Sequence, residues 1–261
     1  MRTARNYGGV PDDYVVEVAA DVERRLYDGI RTRDILRIIH TSARKYQPSV
    51  EGRTNVRRAI GLLGPKPDFE LYVQALLKGS GYAVEEGGRI LKGRCGEHEV
   101  DAIARKGGVT YFVEVKHHHN HHRMTGLDEG RIARAIVEDV QEGYQAGKNH
   151  FTIDKAMIVC NTKLSAHAKR YAACWDIKHI GWDNPKDENI ASMVADVKLC
   201  PVTLIKGGVN ARTRKRLVDA GGVVTVGGQL LGYAPDGLTE KTGIPVKETQ
   251  ILVDRAKKLE E

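Results

Sequence analysis

Asp101, Glu114 and Lys116 have the types and spacing to do chemistry, within the stretch HEVDAIARKGGVTYFVEVKHH. Residues 100–104 and 109–115 are rich in β-branched, aromatic and apolar side chains, and Gly107-Gly108 lies between them. A Gly-Gly pair flanked in this way predicts a two-residue hairpin turn with positive φ at both positions. With that turn Lys106 pairs with Val109, and counting outward sets Asp101 opposite Glu114. Directly opposed side chains have Cβ atoms about 4.5–5.5 Å apart, where like charges repel. Side chains alternate along a strand, so Lys116 shares the face of Glu114. Two carboxylates converging beside an ammonium suit a divalent cation held between them. The competing reading is a solvent-facing row of charges on an edge strand. Val113 and Val115 argue for a buried face, and the neighbouring Lys/Arg residues are confined to the turn, which favours the metal reading.

Other residues invite chemistry with less support. His117, His118, His119, His121 and His122 suggest zinc, yet neighbours on a strand end point in alternating directions and a metal needs convergent ligands. His118 alone shares the Glu114/Lys116 face if the strand continues, and so is a candidate to touch a substrate phosphate or the metal shell. Asn161, Thr162 and Lys163 close a buried strand, where polar groups either face a cleft or cap a turn. Arg212, Arg214, Lys215 and Arg216 follow a Gly-Gly turn and read either as a phosphate-contacting face or as a solvated one. Glu99 shares the face of Asp101 but reads as a solvated acid.

These residues need elements to position them. Apolar residues at helical spacing predict helices over 14–27, 33–44 and 56–63, the last ended by Gly64-Pro65 and Pro67. A helix over 68–78 begins with acids that suit its dipole. A strand at 82–85 leads to the hairpin. Then come a long helix (128–144), a buried strand (155–161), a helix (165–174) and a strand (177–182). This order predicts an α/β fold with a mixed central sheet flanked by helices. The polar run DNPKDE at 183–188 is a linker candidate, and residues 184–197 read as the linker. Two helical hairpins follow in 198–261, with Gly207-Gly208 in the first and Gly243-Ile244-Pro245 in the second. The expected domains are 1–67, 68–183 and 198–261.

The 261 residues are 41% hydrophobic and 29% charged, enough to bury a core. No apolar run approaches the roughly 20 residues that span a bilayer, and MRTARNYGGVPDD lacks the apolar centre of a secretory signal. Four scattered cysteines with no CxxC pair fit reduced thiols in the cytoplasm. Lys/Arg outnumber Asp/Glu 13 to 8 in 1–67 and 11 to 7 in 198–261, but number 17 against 19 in 68–197. Basic flanks around a slightly acidic centre suit a polyanionic partner.

Asp101, twelve intervening residues and Glu114-x-Lys116 resemble the PD-(D/E)xK nuclease signature, and the surrounding segment resembles the Mrr-like restriction endonuclease domains. FELYVQALLKGSGY at 69–82, AMIVCNTKLSAHAKRYA at 156–172 and IKHIGW at 177–182 carry the resemblance further, over about 68–183. The segment LYDGIRTRDI…VRRAIGLLGPKP is similar to the second half of an ATP-cone domain. Its nucleotide-binding first half has no counterpart here, so a helical DNA-docking or dimerisation module is the reading preferred to an ATP site. The C-terminal units resemble tandem helix-hairpin-helix or SAM-like modules, although Asn210 stands where such a hairpin usually has a second Gly.

The resemblance implies phosphodiester hydrolysis in double-stranded DNA. Asp101, Glu114 and the Val115 carbonyl would hold Mg²⁺ or Mn²⁺, with Glu70 at the position of the helix carboxylate that completes the family's site. Glu70 reads otherwise as an acid stabilised by the helix dipole. Lys116 would orient or help deprotonate the attacking water. Cutting two strands implies a homodimer. The alternatives are a structure-specific nuclease resembling junction resolvases, a catalytically silent DNA-binding protein, and a nucleotide-sensing regulator.

Overall fold

The computed structural model describes residues 12–46 and 56–260. They form two compact units: one spans 61–197, and the other joins the residues up to Ile60 to those from Lys198 onward.

At the N-terminal end, helices α1 (Asp12–Glu23) and α2 (Thr32–Tyr46) pack through Val18, Val22 and Ala43. The buried carboxylate of Asp21 accepts the Ser42 hydroxyl and pairs with Arg24 at 3.2 Å and Arg25 at 3.1 Å. Helix α3 (Val56–Gly61) buries Val56, Ala59 and Ile60.

The central unit opens with a tight turn, Pro65–Phe69, in which the Asp68 carboxylate accepts the Gly64 N–H at 2.8 Å. That turn delays helix α4 (Glu70–Gly79) relative to the sequence expectation and places Glu70 in its first turn. Strands β1 (Ala83–Lys92), β2 (Glu97–Lys106) and β3 (Val109–Lys116) form an antiparallel meander. Strand β4 (Met124–Thr125) and helix α5 (Leu127–Gln145) follow, then β5 (Lys155–Cys160), β6 (Lys163–Leu164), α6 (Ala166–Cys174), β7 (Lys178–Ile180) and α7 (Ile190–Val197). The sheet runs β1-β2-β3-β5-β7, with β5 parallel to β3 and β7 parallel to β5. Parallel neighbours need a crossover, and α5 and α6 supply the two crossovers here. The buried run KAMIVC of β5 suits its place between two strands with both faces covered. This is the mixed sheet flanked by helices that the sequence predicts. The short parallel pair β4–β6 was not expected. The stretch expected as a linker carries α7, whose Ile190, Met193 and Val194 are buried.

One face of the sheet packs on α5 through Val100, Ile103, Phe112 and Ile158 against Ala133, Val137 and Val140. The loop between β1 and β2 is clipped to α5 by Asp139. Its carboxylate accepts the N–H groups of Cys95 at 2.8 Å and Gly96 at 3.0 Å and lies 2.7 Å from His98 Nε2. The His98 bond first, then the Cys95 amide, hold this carboxyl at about 2. A carboxyl depressed on folding contributes stability above its unfolded pKa of about 3.9 and loses it as pH falls through the folded value. The stability advantage of wild type over Asp139→Asn should therefore be full at pH 5 and shrink between about pH 4 and 2. Urea midpoints measured across that range check it, and a gap independent of pH would refute it.

In the C-terminal part, α8 (Ala211–Gly221), α9 (Pro235–Thr242) and α10 (Val246–Glu260) enclose Leu217, Val226, Leu238, Ile244, Val253 and Ala256. Asn210 caps α8, its side chain accepting the Thr213 N–H at 2.9 Å. The Thr203 hydroxyl donates to the Ala59 carbonyl at 2.6 Å, tying this part to α3. Expected as two flanking modules, the N- and C-terminal segments thus belong to one unit.

Candidate active site

Both turn glycines take positive φ, +60° at Gly107 and +78° at Gly108, and the register runs from Lys106↔Val109 to Ala102↔Val113 as the sequence predicts. One step further, Asp101 Oδ2 accepts the Val115 N–H at 2.7 Å. The aspartate carboxylate therefore docks on the β3 backbone beside Glu114. Two other elements hold the backbone of Asp101. The Gln74 amide on α4 donates to its carbonyl at 2.8 Å. On the other strand, β1 bulges between Glu86 and Arg89, and Gly87 lies so near that a Cβ there would sit 2.0 Å from the Asp101 oxygen.

Around Asp101 the carboxylates crowd. Burial, and then the charge of Asp101, push the Glu70 carboxyl up to about 7, against the pull of Lys66, and Glu70 and Asp101 are hydrogen-bonded to each other. Burial also raises Asp101, opposed first by the Val115 N–H, and raises Glu114, opposed first by Lys116. The Lys116 ammonium lies 2.8 Å from Glu114 Oε1 and 3.1 Å from Glu129 Oε2. Its burial acts to lower its pKa, but those two carboxylates prevail and raise it. Lys66 is bonded to Glu99 and stands 3.8 Å from Glu70. Glu99 is exposed, as expected of a solvated acid, and it pairs with Lys66 beside the site.

The structure thus joins Glu70, Asp101, Glu114 and Lys116 in one cluster, with every carboxyl in it raised by burial. Among the described residues no three His, Cys, Asp or Glu side chains already surround a common point as metal ligands. The donor set nonetheless fits a hard divalent cation. It is made of oxygens, and carboxyls forced together at the cost of raised pKa values are stabilised when a cation replaces the shared proton.

Comparison with known proteins decides the family. Residues 65–180 match the Mrr_cat family model, described as a restriction endonuclease. An uncharacterised protein of Archaeoglobus fulgidus is 32% identical over 173 residues, covering 65% of this chain and 90% of that one. The chain belongs to the Mrr-type restriction endonuclease family. The crystal structure of AF1548, a protein of unknown function, superposes with a TM-score of 0.62 at 29% identity, covering 73% of this chain and 95% of that one. The span matched by the restriction endonuclease model contains Glu70, Asp101, Glu114 and Lys116 together with the whole five-stranded sheet.

The other candidates divide, some within this restriction endonuclease domain and some beyond it. Strand β3 ends at Lys116, so His118 lies beyond it. Its ring Nε2 is 3.1 Å from Thr125 Oγ1, and burial lowers its pKa. Asn161 is only 3% exposed. Its amide accepts the His118 N–H and donates to the His118 carbonyl, both at 2.8 Å, so it clamps the strand end instead of facing a cleft. Lys163 is exposed on β6. The His117 ring packs 5.1 Å from both Phe69 and His119. On α8, Arg212 and Lys215 are exposed, Arg214 is half-buried, and Arg216 donates to the Gly243 carbonyl at 2.8 Å. Sequence reasoning missed Glu129, Lys66 and Gln74. For Lys66, in extended backbone between Pro65 and Pro67, there was no helical spacing to signal it. For Glu129 the signal was an acid in the first turn of a long helix. The pairing of Gln74 with Asp101 left no local trace.

Proposed function

We propose that the protein is a divalent-metal-dependent DNA endonuclease that hydrolyses phosphodiester bonds. The observation that carries this reading is the cluster of Glu70, Asp101 and Glu114, with burial raising every carboxyl and Lys116 alongside. Asp101, Glu114 and the Val115 carbonyl would hold Mg²⁺ or Mn²⁺, with Glu70 completing the set. The bound cation supplies polarisation of the scissile phosphate and a lowered pKa for a coordinated water. The protein's own residues do the rest. The Val115 N–H keeps one oxygen of Asp101 fixed, and the Lys116 ammonium balances charge developing at phosphorus. Arg212 and Lys215, with Lys163, offer exposed charge to a DNA backbone. A homodimer in the cytoplasm fits a two-strand cut and the reduced cysteines. Among the described residues no helix is long and apolar enough to cross a membrane.

Supercoiled plasmid, methylated plasmid and branched DNA, each incubated with Mg²⁺, Mn²⁺ or EDTA, test the proposal. Metal-dependent nicking or linearisation is expected. DNA binding without a product under any condition would leave a silent binding protein instead. Glu70 adds a pH signature. Its carboxyl must lose its proton for a cation to bind, so the Mg²⁺ concentration for half-maximal cleavage should fall as pH rises through about 7. Titrations at pH 6 and 8 measure it, with Glu70→Gln flattening the dependence.

A further inference from the structure

We propose that Glu129 is the positioning residue for Lys116, an inference that rests on the endonuclease reading. The ammonium has three N–H donors, and two are used here, on Glu114 at 2.8 Å and Glu129 at 3.1 Å. These two carboxylates differ in what else is asked of them. Glu114 faces the carboxylate cluster and feels the charge of Asp101, so a cation entering there competes with Lys116 for its oxygens. Glu129 stands on a separate element, in the first turn of α5, and reaches the lysine from there. It therefore keeps hold of the ammonium when Glu114 turns to the metal, and the third N–H stays directed at a water or a phosphate oxygen.

The mount is rigid enough for the task. Glu129 lies in the first turn of α5, next to Gly130, where a Cβ would meet the Tyr171 ring at 3.2 Å, and one turn before Ala133 in the core. A lysine on a flexible four-carbon stem has many rotamers. A carboxylate fixed on a helix selects one of them, which is what a reacting geometry requires.

The full chain with Mg²⁺ and a plasmid substrate tests the assignment through single-turnover rates. Glu129→Gln should lower the cleavage rate about 10–100-fold, the usual effect of losing a supporting partner. The Mg²⁺ concentration for half-maximal rate, DNA affinity measured with Ca²⁺, and the melting temperature should all stay at wild-type values. Glu129→Asp should recover part of the rate. A Glu129→Gln rate equal to wild type removes this role alone, while a raised Mg²⁺ requirement makes Glu129 a metal ligand and overturns it. A wild-type protein that cuts no DNA with any metal removes the role together with the endonuclease reading.

Discussion

Lys116→Ala should lower metal-dependent DNA cleavage by at least ~10³-fold, and Asp101→Asn by as much or more, with the Asp101 variant fully folded. The first figure combines the typical contribution of a positioned proton-transfer group, about 10²–10⁴-fold, with the electrostatic support a cation gives to a charged transition state, about 10²–10³-fold for a single donor. The second follows from removing a charged oxygen ligand from the centre of the cluster. The contrast in stability makes the pair informative. An asparagine at 101 still presents an oxygen to the Val115 N–H, and it relieves the repulsion that raises Glu70. Its melting temperature should match or exceed that of wild type. Alanine at 116 leaves Glu114 and Glu129 without their shared counter-ion, so some loss of stability is expected there. Plasmid nicking and thermal melts of the same preparations measure both effects. Retained cleavage by either variant would take that residue out of the chemistry.

Gly87→Ala should damage both fold and activity although residue 87 carries no functional group. Its new methyl would lie 2.0 Å from the Asp101 carbonyl oxygen and 2.6 Å from its carbon, both backbone atoms that no side-chain rotation can move aside. Either β1 leaves its bulge or β2 shifts at the residue that carries the central carboxylate. Overpacking of this kind costs about 1–3 kcal/mol, and a displacement near 1 Å of a reacting group costs roughly 10²-fold in rate. Gly88 is the control. Its φ is +80° but no neighbouring atom lies within 4 Å of the position a Cβ would take. Gly88→Ala should lose only about 1–2 kcal/mol for the left-handed backbone and keep most of its cleavage rate. Urea unfolding and single-turnover cleavage distinguish the two. If both variants behave alike, the close approach of β1 to Asp101 is not what places that residue.

The sheet and its hairpin were legible because their signals are local. Gly107-Gly108 requires positive φ at both positions, and that fixed the register and the neighbourhood of Asp101 and Glu114 before any tertiary information. The crossover helices followed from periodicity, and the buried strand 155–160 from its apolar run. What escaped depends on contacts distant in sequence. Asn161 has the residue type of a cleft-facing group, and only the fold shows both ends of its amide spent on His118. Arg216 looks the same as Arg212 in a row of basic residues, yet it bonds the Gly243 carbonyl across the hairpin repeat. Helix 190–197 was hidden behind the polar run DNPKDE that precedes it. Glu129 could be recognised as an N-terminal helix acid but not as the partner of a strand lysine. Side-chain partners across elements are set by tertiary packing, and periodicity carries no information about them.

The bulge in β1 has a second effect, on assembly. β1 is the outermost strand of the five-stranded sheet on its antiparallel side, and at ten residues it is long for an edge. A long regular edge offers its unpaired N–H and C=O groups as a template for another chain. The irregularity between Glu86 and Arg89 interrupts that template midway, so a neighbouring strand could not match its hydrogen bonds along the whole length. At the opposite edge β7 is only three residues long. The sheet is therefore poorly suited to growth by strand addition from either side.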